Sequence, residues 1–153
     1  AEAIGHHAEM ILAGRRTNAN MGHYVASEVV KLMASHYLPI AGSRILVLGL
    51  TFKENCPDIR NTQVVDIIRE LETYNARVDV RDPWVDKDEA WAEYGLDPLV
   101  SVELHTFDAV IVTVGHQEIV GAGPEGARLF LKEGGVLYDV KSVFPAEAVD
   151  GRL

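Results

Sequence analysis

Short apolar runs alternate with longer amphipathic segments from residue 44 onward. Runs with the length and composition of buried strands lie at Ile45–Leu48, Val78–Val80, Ala109–Val114 and Val136–Val140. Segments with helical character lie between them, at residues 62–74, 86–94, 118–120 and 124–131. This alternation is typical of a parallel sheet with helices on both faces, so we predict an α/β, Rossmann-like fold.

Polar residues and glycines refine the predicted elements. Asp86 is followed three residues later by Glu89, a spacing that resembles a capping box and predicts a helix start. Leu99–Val102 is a candidate for a short edge strand. Gly134–Gly135 predicts the end of the last helix.

The first part of the chain, residues 1–38, has no strand pattern. Apolar residues recur there at helical spacing, at Met21, Val25, Val29 and Leu32 or Met33. Asn18 or Asn20 is suited to cap this helix, and Pro39 with Gly42 to end it. Its apolar stripe has to be covered by this domain or by another chain. We therefore divide the chain into a long helix within residues 1–40 and a Rossmann-like domain at residues 41–153.

The loop after the first predicted strand carries the strongest candidate chemistry. It lacks the G-x-G-x-x-G pattern of dinucleotide-binding turns, because Thr51 and Glu54 stand at the later glycine positions. It is about ten residues long and carries Phe52, Lys53, Asp58 and Arg60. An aromatic face and two cations suit a nucleotide that is held by side chains. An ordinary loop with solvated charges is the alternative.

Composition limits the classes of partner. A chain of 153 residues with 48% apolar residues and no apolar run of membrane-spanning length is typical of one soluble, cytoplasmic domain. Its net charge of −9 argues against binding to nucleic acid or to anionic membranes. An anionic ligand would then depend on the few cations near the strand ends. The single Cys56 cannot form an internal disulfide, which agrees with a reducing compartment.

Other polar residues near the strand ends, and the histidines, are also candidates for ligand or metal binding. Asp82 follows the second strand, where an acidic residue holds a ribose in a standard Rossmann domain. Because the glycine fingerprint is missing, we prefer a turn role for Asp82–Pro83. The six histidines show no spacing of metal ligands, so no metal site is expected. His116 follows a strand end, where a helix-capping or solvated histidine is the commoner case.

Four segments in order carry a resemblance to a known family. The segment GLTFKENCPDIRNT at residues 49–62 resembles the start of the carboxyl-terminal domain of the UDP-glucose/GDP-mannose dehydrogenase family. The segment AGRRTNANMG at residues 13–22 is similar to the family's central helix, and DPWV at 82–85 and YDVK at 138–141 resemble later landmarks. The resemblance covers nearly the whole chain and is greatest to the branch that oxidises UDP-N-acetylhexosamines for bacterial surface polysaccharides.

The resemblance implies a function and a role for particular residues. It implies the UDP-binding domain of an NAD-dependent nucleotide-sugar 6-dehydrogenase, which oxidises a sugar C6 alcohol to a carboxylate in two steps. Phe52 and Lys53 match the family's aromatic-lysine pair at the UDP-sugar, and Lys141 lies where the family has a substrate-binding basic residue, often Arg. Arg60 matches an arginine that reaches across the interdomain cleft to NAD.

The resemblance also implies what this sequence lacks. The family's catalytic Cys and Lys, and the domain that binds most of the NAD, belong to sequence upstream of these residues. We therefore expect no catalytic residue here, a loop role for Cys56, and no activity of this fragment alone.

The family's central helix builds a homodimer, which we expect here through the amino-terminal helix. Arg15–Arg16 would be an intersubunit contact or a solvated face of that helix. Two other classes stay open. One is a stand-alone nucleotide-binding or dimerisation module without catalysis, and the other is a complete small Rossmann oxidoreductase, against which the missing glycine fingerprint counts.

Overall fold

The computed structural model describes residues 20–153, which form a five-stranded sheet flanked by helices. The described part of the first helix, α1, covers residues 20–35. The later helices are α2 (Val64–Thr73), α3 (Lys87–Tyr94) and α4 (Gln117–Arg128). The strands are β1 (Arg44–Leu48), β2 (Arg77–Arg81), β3 (Phe107–Val112), β4 (Leu131–Asp139) and β5 (Gly151–Arg152). Within residues 20–153, no helix combines the length and apolar character needed to cross a membrane.

The sheet is parallel throughout, in the order β2-β1-β3-β4-β5. Successive side chains of β1 point to opposite faces, so that Ile45 and Val47 belong to one core and Leu46 and Leu48 to the other. The first core is closed by α1, α2 and α3, and the second by α4 and the segment around Phe144. The predicted Rossmann-like α/β fold, with helices on both faces of a parallel sheet, is confirmed.

Most of the apolar stripe of α1 is covered within this domain, and Met21 stays 39% exposed. Val25, Ala26, Val29 and Met33 are completely buried in the first core. The helix also approaches α2 closely, because Gly22 lies where an added Cβ would be 2.7 Å from the Cβ of Asp66. Asn20 is itself helical, and Asn18 and Arg15–Arg16 lie outside the described residues. The division at residue 40 stays a prediction.

Three expectations about secondary structure are wrong. Leu99–Val102 forms no strand. The N–H of Leu99 donates to the carbonyl of Val80, the carbonyl of Leu99 accepts from the Arg81 guanidinium, and Leu99 and Val102 pack against the second core. Gly134–Gly135 does not end a helix but lies inside β4, where Gly134 has a positive φ of 82° and the pairing with β3 is irregular. Residue 131 accordingly begins β4 instead of ending α4. β2 is the edge strand on the side where Leu99 lies, and the opposite edge is formed by β5, which is too short to leave a periodic signal.

Candidate functional site

A cavity of about 310 Å³ opens where β1, β3 and β4 end. Its wall includes Phe52 and Lys53 from the β1–α2 loop, Lys141 from the turn after β4, and Gly22 of α1. The loop residues Thr62 and Gln63 and the first turn of α2 complete this side of the wall. The structure therefore brings the three predicted substrate-binding residues, which are far apart in sequence, to one cavity.

The charges at this cavity are positive. Lys53 and Lys141 are exposed, and within residues 20–153 neither lysine forms an ion pair with a carboxylate. The amino-terminal end of α2 adds the positive end of a helix dipole. Phe52, with 54% of its surface exposed, offers an unused aromatic face. An anion with an attached ring matches these groups.

The β1–α2 loop covers residues 49–63 and is longer than the ten or so residues expected. It begins at Gly49, which has a φ of 110° and packs so tightly that an added Cβ would be 2.6 Å from the Cβ of Val114. The N–H of Phe52 donates to the carbonyl of Asp58 at 2.8 Å, which folds the loop back on itself. The side chains of Phe52 and Lys53 therefore stand on a closed turn.

Asp82 anchors the start of this loop. Its carboxylate is 3% exposed and accepts hydrogen bonds from the N–H groups of Leu50 (2.6 Å), Thr51 (3.1 Å) and Trp84 (2.8 Å). Burial alone would raise the pKa of Asp82, but hydrogen bonds from His116 and these N–H groups outweigh it and hold the pKa below its usual value. The turn role predicted for Asp82 is therefore present, through Trp84, but the same carboxylate also holds the β1–α2 loop.

His116 is buried, so the expectation of a solvated histidine is wrong. The residue does occupy the N-cap position of α4, where its carbonyl accepts hydrogen bonds from the N–H groups of Ile119 and Val120. The residue precedes α4, but its side chain makes no capping hydrogen bond, and it is completely inaccessible to solvent. Its Nε2 lies 2.9 Å from Oδ2 of Asp82 and 3.0 Å from Oγ1 of Thr51. Its Nδ1 accepts a hydrogen bond from the N–H of Asn55 at 2.9 Å. The ring of Trp84 stacks beside it.

Asp139 anchors the turn that carries Lys141, as Asp82 anchors the start of the β1–α2 loop. Its carboxylate is completely buried and accepts hydrogen bonds from the N–H groups of Lys141 (3.1 Å) and Phe144 (2.9 Å). Asp82, His116 and Asp139 were not predicted as site-organising residues. A signal existed in the sequence, since each follows or ends a strand and each lies at the ligand-facing edge of the sheet.

Arg60 lies apart from the two lysines. It borders a second, open cavity of about 320 Å³ with Asp58 and Asn61, and only Phe52 is shared with the first cavity. Its guanidinium donates two hydrogen bonds to the carboxylate of Asp58, at 3.0 and 3.1 Å, and the hydrogen bonding lowers the pKa of Asp58. Cys56 is a half-buried free thiol in the same loop and lines neither cavity.

Fold and site together define a Rossmann-like domain that lacks the glycine fingerprint and has a cationic cavity at the carboxyl ends of its strands. Residues 46–146 match the UDP-glucose/GDP-mannose dehydrogenase family, UDP binding domain. The chain belongs to this family, which confirms the resemblance seen in the sequence.

Relatives agree with this assignment, and a solved structure shares the fold. The chain is 50% identical over 153 residues to UDP-N-acetyl-D-glucosamine 6-dehydrogenase of Salmonella typhi and 48% identical over 153 residues to the enzyme of the same name from Pseudomonas aeruginosa. The alignment with each relative covers all of this chain, and the chain spans 36% of the length of each relative. A structure of the UDP-N-acetyl-mannosamine dehydrogenase Cap5O from S. aureus shares the fold, with a TM-score of 0.71 at 22% identity over 97% of this chain and 33% of that one.

Proposed function

We propose that this chain binds the UDP part of a nucleotide sugar and that the complete protein is an NAD-dependent UDP-sugar 6-dehydrogenase. The substrate would be a UDP-N-acetylhexosamine or UDP-glucose, which the enzyme would oxidise at C6 to the uronic acid. The reaction would take place in the cytoplasm and supply the synthesis of surface polysaccharide. The observation that carries the proposal is the single cavity shared by Phe52, Lys53 and Lys141.

The chemistry of this cavity suits UDP. Two lysines without carboxylate partners in the described structure can neutralise a diphosphate, in a chain whose net charge of −9 would otherwise repel it. The amino-terminal end of α2 lies in the same wall and favours the same negative charge. Phe52 can stack on a ring of the ligand through its exposed face.

We propose that Arg60 contacts NAD. Most of the other contacts to NAD would come from the rest of the complete protein. The separate position of Arg60, beyond Phe52, supports a ligand other than the one at the lysines. Reaching NAD requires that the Arg60 side chain, which is 78% exposed, release the carboxylate of Asp58, whose side chain is 32% exposed. NAD would supply the hydride acceptor, and none of the residues discussed here is assigned a covalent role.

We also propose a homodimer through α1. Met21 and Tyr24 remain 39% and 52% exposed on α1 after the rest of its apolar stripe has packed into the domain. The alternative of a stand-alone nucleotide-binding module without catalysis also predicts UDP binding. Activity of the complete protein separates the two, since only the dehydrogenase forms NADH with a UDP-sugar.

Calorimetric titration of the 153-residue chain with UDP and with NAD tests the assignment of ligands. We expect UDP to bind measurably and NAD hardly at all, because one arginine without a glycine-rich phosphate turn cannot hold a dinucleotide. Tighter binding of NAD than of UDP would contradict both the role of Arg60 and the assignment of this domain to UDP.

Lys53→Ala tests the cavity itself. Loss of one charge-assisted contact should weaken UDP binding by about 1.5 to 3 kcal/mol, which is roughly ten- to a hundredfold in affinity. Lys31→Ala is the control, because Lys31 is an exposed lysine of α1 outside the cavity and its removal changes the net charge equally. Equal UDP affinities of the two variants would show that Lys53 is a solvated loop charge that does not contact the ligand.

A further inference from the structure

The segment that carries Phe52 and Lys53 is held in place mainly by hydrogen bonds. Residues 52–55 are all exposed, so burial of apolar side chains does not fix their position. Asn55 has a positive φ of 55°, and its side-chain oxygen accepts a hydrogen bond from the N–H of Gln117 at 2.8 Å. The N–H of the same residue donates to Nδ1 of His116. The end of the segment is therefore tied to the start of α4 at two points.

The hydrogen-bond partners determine the proton position on His116. A backbone N–H can only donate, so Nδ1 of His116, which faces the N–H of Asn55, must be the acceptor. The ring proton therefore sits on Nε2, where it is donated to Oδ2 of Asp82 and lies 3.0 Å from Oγ1 of Thr51. The hydroxyl of Thr51 in turn donates to the carbonyl of Lys53 at 2.9 Å.

These contacts connect three strand ends through one buried ring. Asp82 follows β2 and holds the start of the β1–α2 loop, while His116 follows β3 and holds Asn55. The Phe52–Lys53 pair lies between these two attachment points. Nothing in this arrangement needs the imidazole to touch a ligand, because the completely buried ring does not line the cavity.

We propose that His116 is a positioning residue, which holds the Phe52–Lys53 segment in the geometry that binds the nucleotide by accepting the N–H of Asn55 while it is anchored on Asp82. The inference rests on the proposed UDP binding at this cavity. Loss of the Asn55 bond lets the segment sample other conformations, and the ligand must then supply the ordering that His116 supplies now.

Two substitutions separate positioning from simple stability. His116→Gln can place an amide N–H near the present Nε2 and keep the bond to Asp82, but it offers no acceptor near Nδ1. His116→Asn can place its carbonyl oxygen near the present Nδ1 and keep the bond to Asn55, but it loses the donor to Asp82. Both variants bury an amide in place of the ring, so both should lower the free energy of unfolding.

Calorimetric titration of both chains with UDP, combined with amide hydrogen exchange, is the test. We expect His116→Gln to bind UDP roughly five- to tenfold more weakly than wild type and to exchange the Asn55 amide faster. His116→Asn should retain affinity within about twofold, because the Asn55 bond persists. Wild-type affinity of His116→Gln, or losses in both variants that follow only their unfolding free energies, would overturn the inference.

A third variant decides the outcome if neither histidine variant folds. Thr51→Val preserves the shape of the buried side chain but removes the hydroxyl between His116 and the carbonyl of Lys53. Because Thr51 also lines the cavity, affinity is read together with amide exchange. We expect severalfold weaker UDP binding with faster exchange of the Asn55 amide, and unchanged affinity or unchanged exchange would overturn the positioning role. Failure of the wild-type chain to bind UDP would instead overturn the proposed function, and the inference with it.

Discussion

The carboxylate of Asp82 is buried away from water. Three backbone N–H groups and one imidazole donate the hydrogen bonds that water would otherwise supply. These donors favour the ionised form, so the pKa of Asp82 lies below its ordinary value. A group with a depressed folded-state pKa stabilises the fold fully above its unfolded pKa of about 3.9. That contribution is lost as the pH falls through the folded-state pKa.

Asp82→Asn should therefore destabilise the chain in a pH-dependent way. Charged hydrogen bonds contribute about 1.5 to 3 kcal/mol each, so we expect a loss of at least about 2 kcal/mol at pH near 7. The difference from wild type should narrow as the pH falls below about 4. Urea unfolding at several pH values measures this, with Glu133→Gln as an exposed control of equal charge change. A difference that stays constant down to pH values near 2 would contradict the assignment.

The organising residues of the site were harder to predict than the ligand-facing ones. Phe52 and Lys53 could be named because aromatic and cationic side chains after a strand suggest ligand chemistry directly, whereas Lys141 was named only through the resemblance to the family. His116 was missed because an isolated histidine is usually solvated, and its burial depends on Asp82, Thr51 and Asn55, which come from two other loops. Such a cluster is a tertiary property that local pattern does not contain.

At the level of elements, the contact between α1 and α2 depends on Gly22. An added Cβ would lie 2.7 Å from the Cβ of Asp66 and 3.2 Å from its carbonyl carbon, and neither atom can move without shifting α2. Gly22 also lines the cavity, so the distance between the two helices sets part of the cavity wall.

Gly22→Ala should destabilise the chain although alanine is the better helix former. Helix propensity favours alanine by about 1 kcal/mol, whereas overpacking costs about 1 to 3 kcal/mol, so we expect a net loss of about 1 kcal/mol and weaker UDP binding. Gly121→Ala in α4 is the matched control, because an added Cβ there has no neighbour within 4 Å. It should be neutral or stabilising by up to about 1 kcal/mol in the same denaturant unfolding experiment. Stabilisation by both substitutions would show that α1 can move away from α2 at little cost.

The central strands and the β2 edge of the sheet were predictable, and the β5 edge was not. β1 and β3 are buried on both faces, so they leave nearly continuous apolar runs. β5 has two residues and one β-bridge partner strand, and its pairing is decided by the position of β4. The irregular part of β4 contains Gly134 and Gly135, residues of the kind that commonly follow the end of a helix. The sequence pattern alone therefore assigns them wrongly to a helix end instead of a strand.

At the level of the whole molecule, the positions of Lys53 and Arg60 predict separate effects on two ligands. Arg60→Ala in the complete protein should raise the NAD concentration needed for half-maximal rate by about tenfold, because a charged contact is lost. UDP-sugar binding should change little, because Arg60 does not line the lysine cavity. Steady-state kinetics with each substrate varied in turn measures both effects. Arg77→Ala, at the start of β2 and outside both cavities, is the control.

Equal losses for both substrates in Arg60→Ala would contradict the separation. Such a result would indicate that the Asp58–Arg60 pair shapes the whole β1–α2 loop, since both residues belong to it and Phe52 is bonded to Asp58 through its backbone.

Lys53 and Lys141 form no ion pair with a carboxylate within residues 20–153, although the chain as a whole is strongly acidic, and this contrast has a consequence for ionic strength. A UDP-sugar that approaches this 153-residue chain from solution first meets the field of its net charge of −9, which repels the ligand, and meets Lys53 and Lys141 only at short range. Salt at about 0.15 M screens charges beyond roughly 8 Å and leaves close contacts comparatively intact. Added salt should therefore speed the arrival of the anionic ligand, the opposite of the behaviour of a basic nucleotide-binding protein.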